Sequence, residues 1–134
     1  MKQCSKCGEV KELTEFHKNA RWEDGLQLYC KECHKQITTR HYNQNKDAYK
    51  ARAMQAKAEL RKWWVEYKET LKCECCGESR WWCLDFHHTD PSIKDKAVSS
   101  MVSATRPKRV ILAEVAKCMV VCRNCHADIH YKQR

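Results

Sequence analysis

The stretch "VCRNCHADIH", residues 121–130, contains a C-x-x-C pair that is followed directly by a H-x-x-x-H pair. A C-x-x-C pair typically supplies half of a tetrahedral zinc site. If a helix begins near Arg123, His126 and His130 are four residues apart, so their rings project from one face about 6 Å apart. The stretch therefore predicts a cysteine metal site joined directly to a chelating pair of histidines.

Together, the C-x-x-C pairs of the whole chain predict two structural zinc sites. The chain has 134 residues and 11 cysteines, most of them in C-x-x-C pairs. In the second half, two such pairs predict one Cys4 site, formed by Cys73, Cys76, Cys122 and Cys125. Cys75 is an alternative to Cys76 in that site. Near the N-terminus, two more pairs predict a second Cys4 site, formed by Cys4, Cys7, Cys30 and Cys33, for which His17 and His34 are alternative ligands.

The cysteine usage also indicates a reducing compartment. The cysteine count is odd, and the start "MKQCSKCGEV" lacks the apolar run of a secretory signal. No stretch approaches the roughly 18 apolar residues that a membrane span requires. We therefore expect zinc rather than disulfides, a soluble cytoplasmic protein and no membrane partner.

The middle of the chain predicts one long helix, because "NKDAYKARAMQAKAELRKWWVEYKETLK" contains neither Gly nor Pro. At about 100° per residue, one narrow arc holds the predicted packing face: Ala53, Ala56, Leu60, Trp63, Trp64, Tyr67 and Leu71. The Trp63–Trp64 pair is interpreted as core, with base stacking as the alternative.

The charge of the protein is concentrated in this helical segment. The net charge is +9, and residues 36–72 hold 9 basic against 4 acidic groups. A basic stripe lies beside the apolar face, and its residues are Lys46, Lys50, Lys57, Arg61, Lys68 and Lys72. A one-signed stripe favours contact with nucleic-acid phosphates over a merely solvated face, which usually mixes its charges.

The third segment contains a β-prone run over residues 80–86, a polar loop "TDPSIKDKAVSSMVSAT", a short helix in "PKRVILAEVAK", a strand in "CMVV" and the closing helix. The sequence predicts a small, zinc-stabilised α+β fold. We divide it into a zinc-ribbon module at residues 1–38, a basic helical linker at 39–72 and a third domain at 73–134.

The third segment resembles a known family. A C-x-x-C pair, a strand ending in the Asp-Phe-His-His of residues 85–88, and a final C-x-x-C-H-x-x-x-H are similar to the HNH endonucleases, also called ββα-metal or His-Me finger nucleases. The resemblance covers Cys73 to about Tyr131. The zinc pairs ahead of a basic helix resemble, less specifically, the extensions of phage-encoded HNH proteins.

The resemblance implies a role for each histidine. His88 matches the general base, while His87, His126 and His130 match ligands of one catalytic divalent ion, which can be Mg²⁺, Mn²⁺, Ni²⁺ or Zn²⁺. Asp85 matches an acidic residue beside that ion. Arg80 and Arg123 are candidates for steadying the phosphate. Many relatives also carry an asparagine where this chain has Lys117 or Cys118, and a backbone carbonyl is one group that can hold His88 instead.

The implied function is a metal-dependent DNA endonuclease that uses two structural zinc ions and one catalytic ion. It would act on double-stranded DNA in the cytoplasm of a bacterial host or a phage-infected cell, nicking as a monomer and cutting both strands as a homodimer. The alternative is a non-catalytic, zinc-binding nucleic-acid adaptor. Retention of all four histidines argues against that alternative.

Overall fold

The computed structural model describes residues 1–134 and has a small α+β fold. The chain forms two compact units, Met1–Ala51 and Arg52–Arg134, called here the first and second unit. Each unit contains one four-cysteine cluster with the geometry to bind zinc. None of the helices combines the length and apolar character needed to cross a membrane.

The first unit is built from two short antiparallel pairs of strands and a helix. Strand β1 (Lys2–Gln3) pairs with β2 (Val10–Lys11), and β3 (Phe16–Lys18) pairs with β4 (Leu26–Cys30). Helix α1 (Lys31–Gln44) follows β4 without a break. Between β1 and β2, Gly8 has a positive φ of 74°, which glycine adopts at no steric cost.

The second unit contains α2 (Lys46–Glu69) after Ala51, then β5 (Leu84–His88), α3 (Val98–Ser103), α4 (Lys108–Val115), β6 (Cys118–Cys122) and α5 (Arg123–Lys132). Strands β5 and β6 are antiparallel, with Leu84 opposite Cys122 and His88 opposite Cys118. This register places the start of β5 beside the start of α5, so residues of both elements can reach one site.

The second unit contains two apolar clusters, and both include residues of β5 and β6. One is formed around the buried residues Leu60, Val98, Met101, Ile111 and Val115, with Trp63, Trp64, Tyr67 and Phe86 packed against them. The other is formed by Cys73, Leu84, Val121 and Cys122. The Trp63–Trp64 pair is therefore part of the core, as predicted, and α2 is held to the sheet by its second half.

The structure corrects several expectations about local structure. The predicted polar loop contains α3, because Val98 and Met101 are buried in the core. Ala53 and Ala56 are exposed, so the predicted packing face of α2 is occupied only from Leu60 onward. The predicted ribbon carries the 14-residue helix α1, which starts at the second cysteine pair and ends before Asn45. The predicted linker at residues 39–72 is therefore divided at Asn45. The helix predicted from that residue onward is α2, which ends at Glu69 rather than at Lys72.

Candidate functional site

The four-cysteine cluster of the second unit joins the turn after α2 to the start of α5. The Sγ atoms of Cys73, Cys76, Cys122 and Cys125 all lie within 4.8 Å of one another. Cys122 ends β6 and caps α5, since its Sγ accepts a hydrogen bond from the backbone amide of Cys125. Cys75 is exposed and stays outside the cluster. Four thiol ligands leave no open position on a tetrahedral zinc ion, so this site fits a structural role.

The thiols of this cluster are suited to bind metal. Burial opposes ionisation of Cys73, but hydrogen bonds from the backbone amides of Cys122, Cys76 and Cys75 lower its pKa to about 6. The thiolate is the form that binds zinc. The hydrogen bond with Cys122 and burial raise the pKa of Cys125, so Cys73 is the thiol of this cluster that ionises first, and the fit to zinc rests on the geometry and the four-thiol set.

The cluster of the first unit contains the predicted cysteines and no histidine. The Sγ atoms of Cys4, Cys7, Cys30 and Cys33 lie within 4.8 Å of one another. The backbone amide of Cys7, and after it that of Cys30, lowers the pKa of Cys4 to about 6. His17 and His34 instead contact each other, with ring centroids 5.3 Å apart. The alternative in which they replace cysteine ligands is not the arrangement seen.

A third cluster consists of the three predicted histidine ligands. His87 comes from β5, and His126 and His130 come from successive turns of α5. The ring of His87 lies 5.2 Å from that of His126 and 5.1 Å from that of His130, between centroids. The Nε2 atoms of His126 and His130 are 3.0 Å apart. Imidazole nitrogens that converge in this way fit one divalent transition-metal ion.

Asp85 lies next to this histidine cluster. It shares one face of β5 with His87, because side chains two residues apart point the same way in a strand. Its Oδ2 is 3.4 Å from Nδ1 of His126. A carboxylate at Nδ1 favours the tautomer in which Nε2 carries the free lone pair. The predicted position of Asp85, beside a ligand rather than among the ligands, is the one observed.

The environment of His87 keeps its ring neutral. Burial lowers the pKa of His87 from its ordinary value, and repulsion from His126, His130 and His88 lowers it further. Metal ions bind the neutral form of imidazole. The cluster is therefore suited to take up an ion near neutral pH.

The histidines form part of the wall of a cleft of about 520 Å³. Its lining combines apolar residues of the core with polar and basic side chains from β5, α5 and the segment after β5. The ionisable residues of the lining are Lys68 from α2 and, from the other segments, Asp85, His87, His88, Lys94, His126 and His130. Such a cleft leaves room for a substrate group beside the histidine cluster.

His88 lies on the opposite face of β5 from His87. Its Nε2 is 2.7 Å from Oε1 of Glu114, and its side chain is only 8% exposed. Its Nδ1 has no hydrogen-bond partner, and no buried side-chain nitrogen or oxygen of the protein lacks one. Nδ1 therefore reaches solvent, on a residue that lines the cleft.

Glu114 is the residue that sequence analysis missed. A backbone carbonyl was one candidate for holding His88, and the partner in the structure is instead the carboxylate of this α4 residue. A signal for it existed, because α4 buries Ile111, Glu114 and Val115, and an acidic residue on an otherwise apolar helix face needs partners. Lys117 donates a hydrogen bond to Glu114, and Cys118 lies in β6.

The predicted basic stripe is only partly available to a ligand. Lys46 and Lys50 in the first unit, and Lys57 and Arg61 in the second, are exposed and form no ion pair. Lys68 is half-buried and donates a hydrogen bond to the carbonyl of Leu84. Lys72 lies beyond the last residue of α2.

The two arginines considered as phosphate contacts have different surroundings. Arg80 is held by the carboxylate of Glu78 at 2.6 Å. Arg123 is exposed at the first position of α5 and makes no ion pair. Of the two, only Arg123 is available to an anionic ligand.

Comparison of the chain with protein-family models, curated proteins and solved structures found no match. The function is therefore inferred from the site itself.

Proposed function

We propose that this protein is a metal-dependent endonuclease of the HNH type that hydrolyses phosphodiester bonds in double-stranded DNA. One observation carries the proposal. Three histidines from a strand and a helix converge beside a cleft, and a fourth histidine on the same strand lines that cleft with an unpaired ring nitrogen.

The residues present fit a divalent ion. His87, His126 and His130 offer three converging nitrogens, and Asp85 orients one of these rings from behind. An ion bound there would neutralise charge on the scissile phosphate and assist departure of the 3′ oxygen. The protein would hold the ion with three neutral histidines on one side of it and leave the side that faces the cleft open.

His88 supplies the base in this proposal. Its Nδ1 is the free nitrogen that would take a proton from the attacking water. An imidazole has an ordinary pKa near 6.5, so it can accept and release a proton close to neutral pH. Because His87 and His88 are adjacent on β5, the strand fixes the distance between ligand and base.

The charge distribution supports a polyanionic substrate. The net charge is +9, and the exposed, unpaired residues Lys57 and Arg61 stand on α2 of the unit that holds the cleft. No set of side chains suggests a reader of base edges, so phosphates should dominate affinity and make it strongly salt-dependent. In this proposal β5, β6 and α5 enter the minor groove. A monomer nicks one strand, and a homodimer cuts both.

A plasmid-nicking assay with added Mg²⁺, Mn²⁺, Ni²⁺ or Zn²⁺ tests the proposal. His88→Gln keeps an N–H donor for Glu114 but has no basic nitrogen, so we expect nicking to fall by about 10²- to 10⁴-fold. His34→Ala is the control, because it removes a histidine of the first unit that belongs neither to the histidine cluster nor to the lining of the cleft.

Failure of the wild-type protein to nick under every ion would overturn the proposal, as would full activity of His88→Gln. Salt-dependent DNA binding without any cleavage would instead identify the protein as a non-catalytic nucleic-acid adaptor. The two outcomes are separated by measuring binding and nicking on the same plasmid.

A further inference from the structure

The side chain of Glu114 is the only polar or charged one that the protein buries, and it is 2% exposed. A buried carboxylate is costly unless hydrogen bonds satisfy it. Glu114 has three donors: Nε2 of His88 at 2.7 Å and the amide of Asp95 at 3.0 Å on Oε1, and Nζ of Lys117 at 2.8 Å on Oε2. The structure therefore provides a complete set of partners for this one group.

These donors keep Glu114 ionised. Burial alone would raise its pKa, but the hydrogen bonds from Lys117, His88 and Asp95 together outweigh burial and hold the pKa at about 2. An ionised carboxylate can only accept hydrogen bonds. The short contact with His88 therefore requires the proton to be on Nε2 of the ring.

The two nitrogens of His88 are consequently in different states. Nε2 donates to Glu114, whereas Nδ1 has no partner and reaches solvent. In a neutral imidazole with its proton on Nε2, the lone pair must be on Nδ1. The nitrogen with the lone pair is thus the accessible one.

The same carboxylate also fixes the segment after β5. Asp95 donates its amide to Glu114, and Lys117 bonds both Glu114 and the carbonyl of Ile93, at 3.0 Å. The base and the segment that borders the cleft beside it are therefore attached to one anchor. Glu114 is on α4, three residues before Lys117. The HNH pattern would place its asparagine at Lys117 or Cys118.

We propose that Glu114 is the positioning residue of His88, which fixes its Nε2–H tautomer and its ring orientation and thereby turns the Nδ1 lone pair to the cleft. The use of that lone pair as a base rests on the proposed function, whereas the assignment of the tautomer does not. Glu114 does not line the cleft, so it acts on the reaction through His88 rather than through contact with substrate.

The tautomer of His88 can be measured by long-range ¹H–¹⁵N NMR correlation on the full chain without DNA, at several pH values from neutral to alkaline. We expect the Nε2–H pattern in the wild-type protein. Glu114→Gln replaces one acceptor oxygen by a donor while three donors still need acceptors, so we expect a mixture with the Nδ1–H form. Nicking should fall by about 10- to 100-fold, less than on loss of the base itself.

Two variants separate positioning from a merely structural role. Lys117→Met removes a different donor from Glu114 and keeps its contact with His88, so the Nε2–H pattern and most of the nicking should remain. Glu66→Gln is the matched control, since Glu66 is exposed on α2. Equal losses in Lys117→Met and Glu114→Gln, with the tautomer unchanged in both, would show that Glu114 only supports the fold.

An Nδ1–H pattern in the wild-type protein, or an unchanged Nε2–H pattern in Glu114→Gln, would overturn the inference. If the tautomer responds as expected but the wild-type protein nicks no DNA with any ion, the positioning role holds and the endonuclease proposal fails.

Discussion

The first and second units fold around their cysteines in the same way. In each, a C-x-x-C-G turn is closed by a backbone hydrogen bond from Gly8 to Cys4, or from Gly77 to Cys73, at 2.9 Å in both cases. In each, a strand residue pairs with the cysteine that ends the second strand, and a helix follows at the next residue. The second cysteine pair therefore spans the junction of strand and helix in both units.

The units differ in what this common scaffold carries. After the last cluster cysteine, both helices have a histidine, His34 or His126, but four residues later the first unit has Thr38 where the second has His130. The two strands are joined by a short turn in the first unit, whereas the second inserts α3 and α4, which bring Glu114 to His88. A four-cysteine cluster thus fixes a strand and a helix, and chemistry depends on the side chains added to them.

The largest effect on folding is expected from the loss of a cysteine cluster. Structural zinc contributes about 10–16 kcal/mol of binding free energy in small domains, so we expect Cys125→Ser to unfold the second unit. Cys33→Ser should do the same to the first unit. Zinc content and the dispersion of amide NMR signals measure both effects. A folded second unit in Cys125→Ser would contradict the structural role of its zinc.

The next effect is expected from the histidine cluster. His130→Ala should leave both cysteine clusters loaded and the protein folded, because His130 is exposed and belongs to no core cluster. Binding of the exchangeable ion should be lost, and nicking should fall by about 10²-fold or more. Titration calorimetry with Mn²⁺ or Ni²⁺ measures the binding. Thr38→Ala, at the corresponding helix position of the first unit, should change neither property.

A smaller effect is expected at Asp85. Asp85→Asn keeps the size of the side chain but weakens its hold on Nδ1 of His126, so metal affinity or activity should fall by about 10- to 100-fold. Asp128→Asn is a suitable control on α5, since Asp128 is exposed and forms no ion pair. Equal metal affinity of Asp85→Asn and the wild-type protein would exclude an orienting role.

The smallest effect is expected on the basic face of α2. Each phosphate contact that is lost reduces the slope of log affinity against log salt by about 0.9, so Lys57→Gln combined with Arg61→Gln should reduce it by about 1.8. Lys62→Gln is the control, because Lys62 already lies 4.0 Å from the carboxylate of Glu66. An unchanged slope in the double variant would place the DNA elsewhere.

Spacing along the sequence predicted the clusters well. Metal-ligand pairs are local patterns, so the two cysteine sets and the start of α5 at Arg123 were found as expected. The i,i+4 relation likewise placed His126 beside His130. These features depend on distances of a few residues, which the chain itself fixes.

Features that depend on distant partners were not predicted. Three of the six residues of α3 are serine, and only contact with the core reveals why Val98 and Met101 are buried. Glu114 and His88 are 26 residues apart, and no local pattern joins them. Lys68 was assigned to the basic stripe, but the carbonyl that binds it belongs to Leu84 on β5.

Cys125 and His126 are consecutive residues of α5. This spacing fixes the direction in which the histidines project around the helix axis relative to the cysteine cluster. Each residue advances a helix by about 100°, so one inserted residue between them would rotate both histidines by that angle around α5. The cysteine cluster would stay intact, and the histidines would no longer face His87. The connection between β5 and β6 has no such constraint on its length, so the chain can vary there without losing either set of ligands.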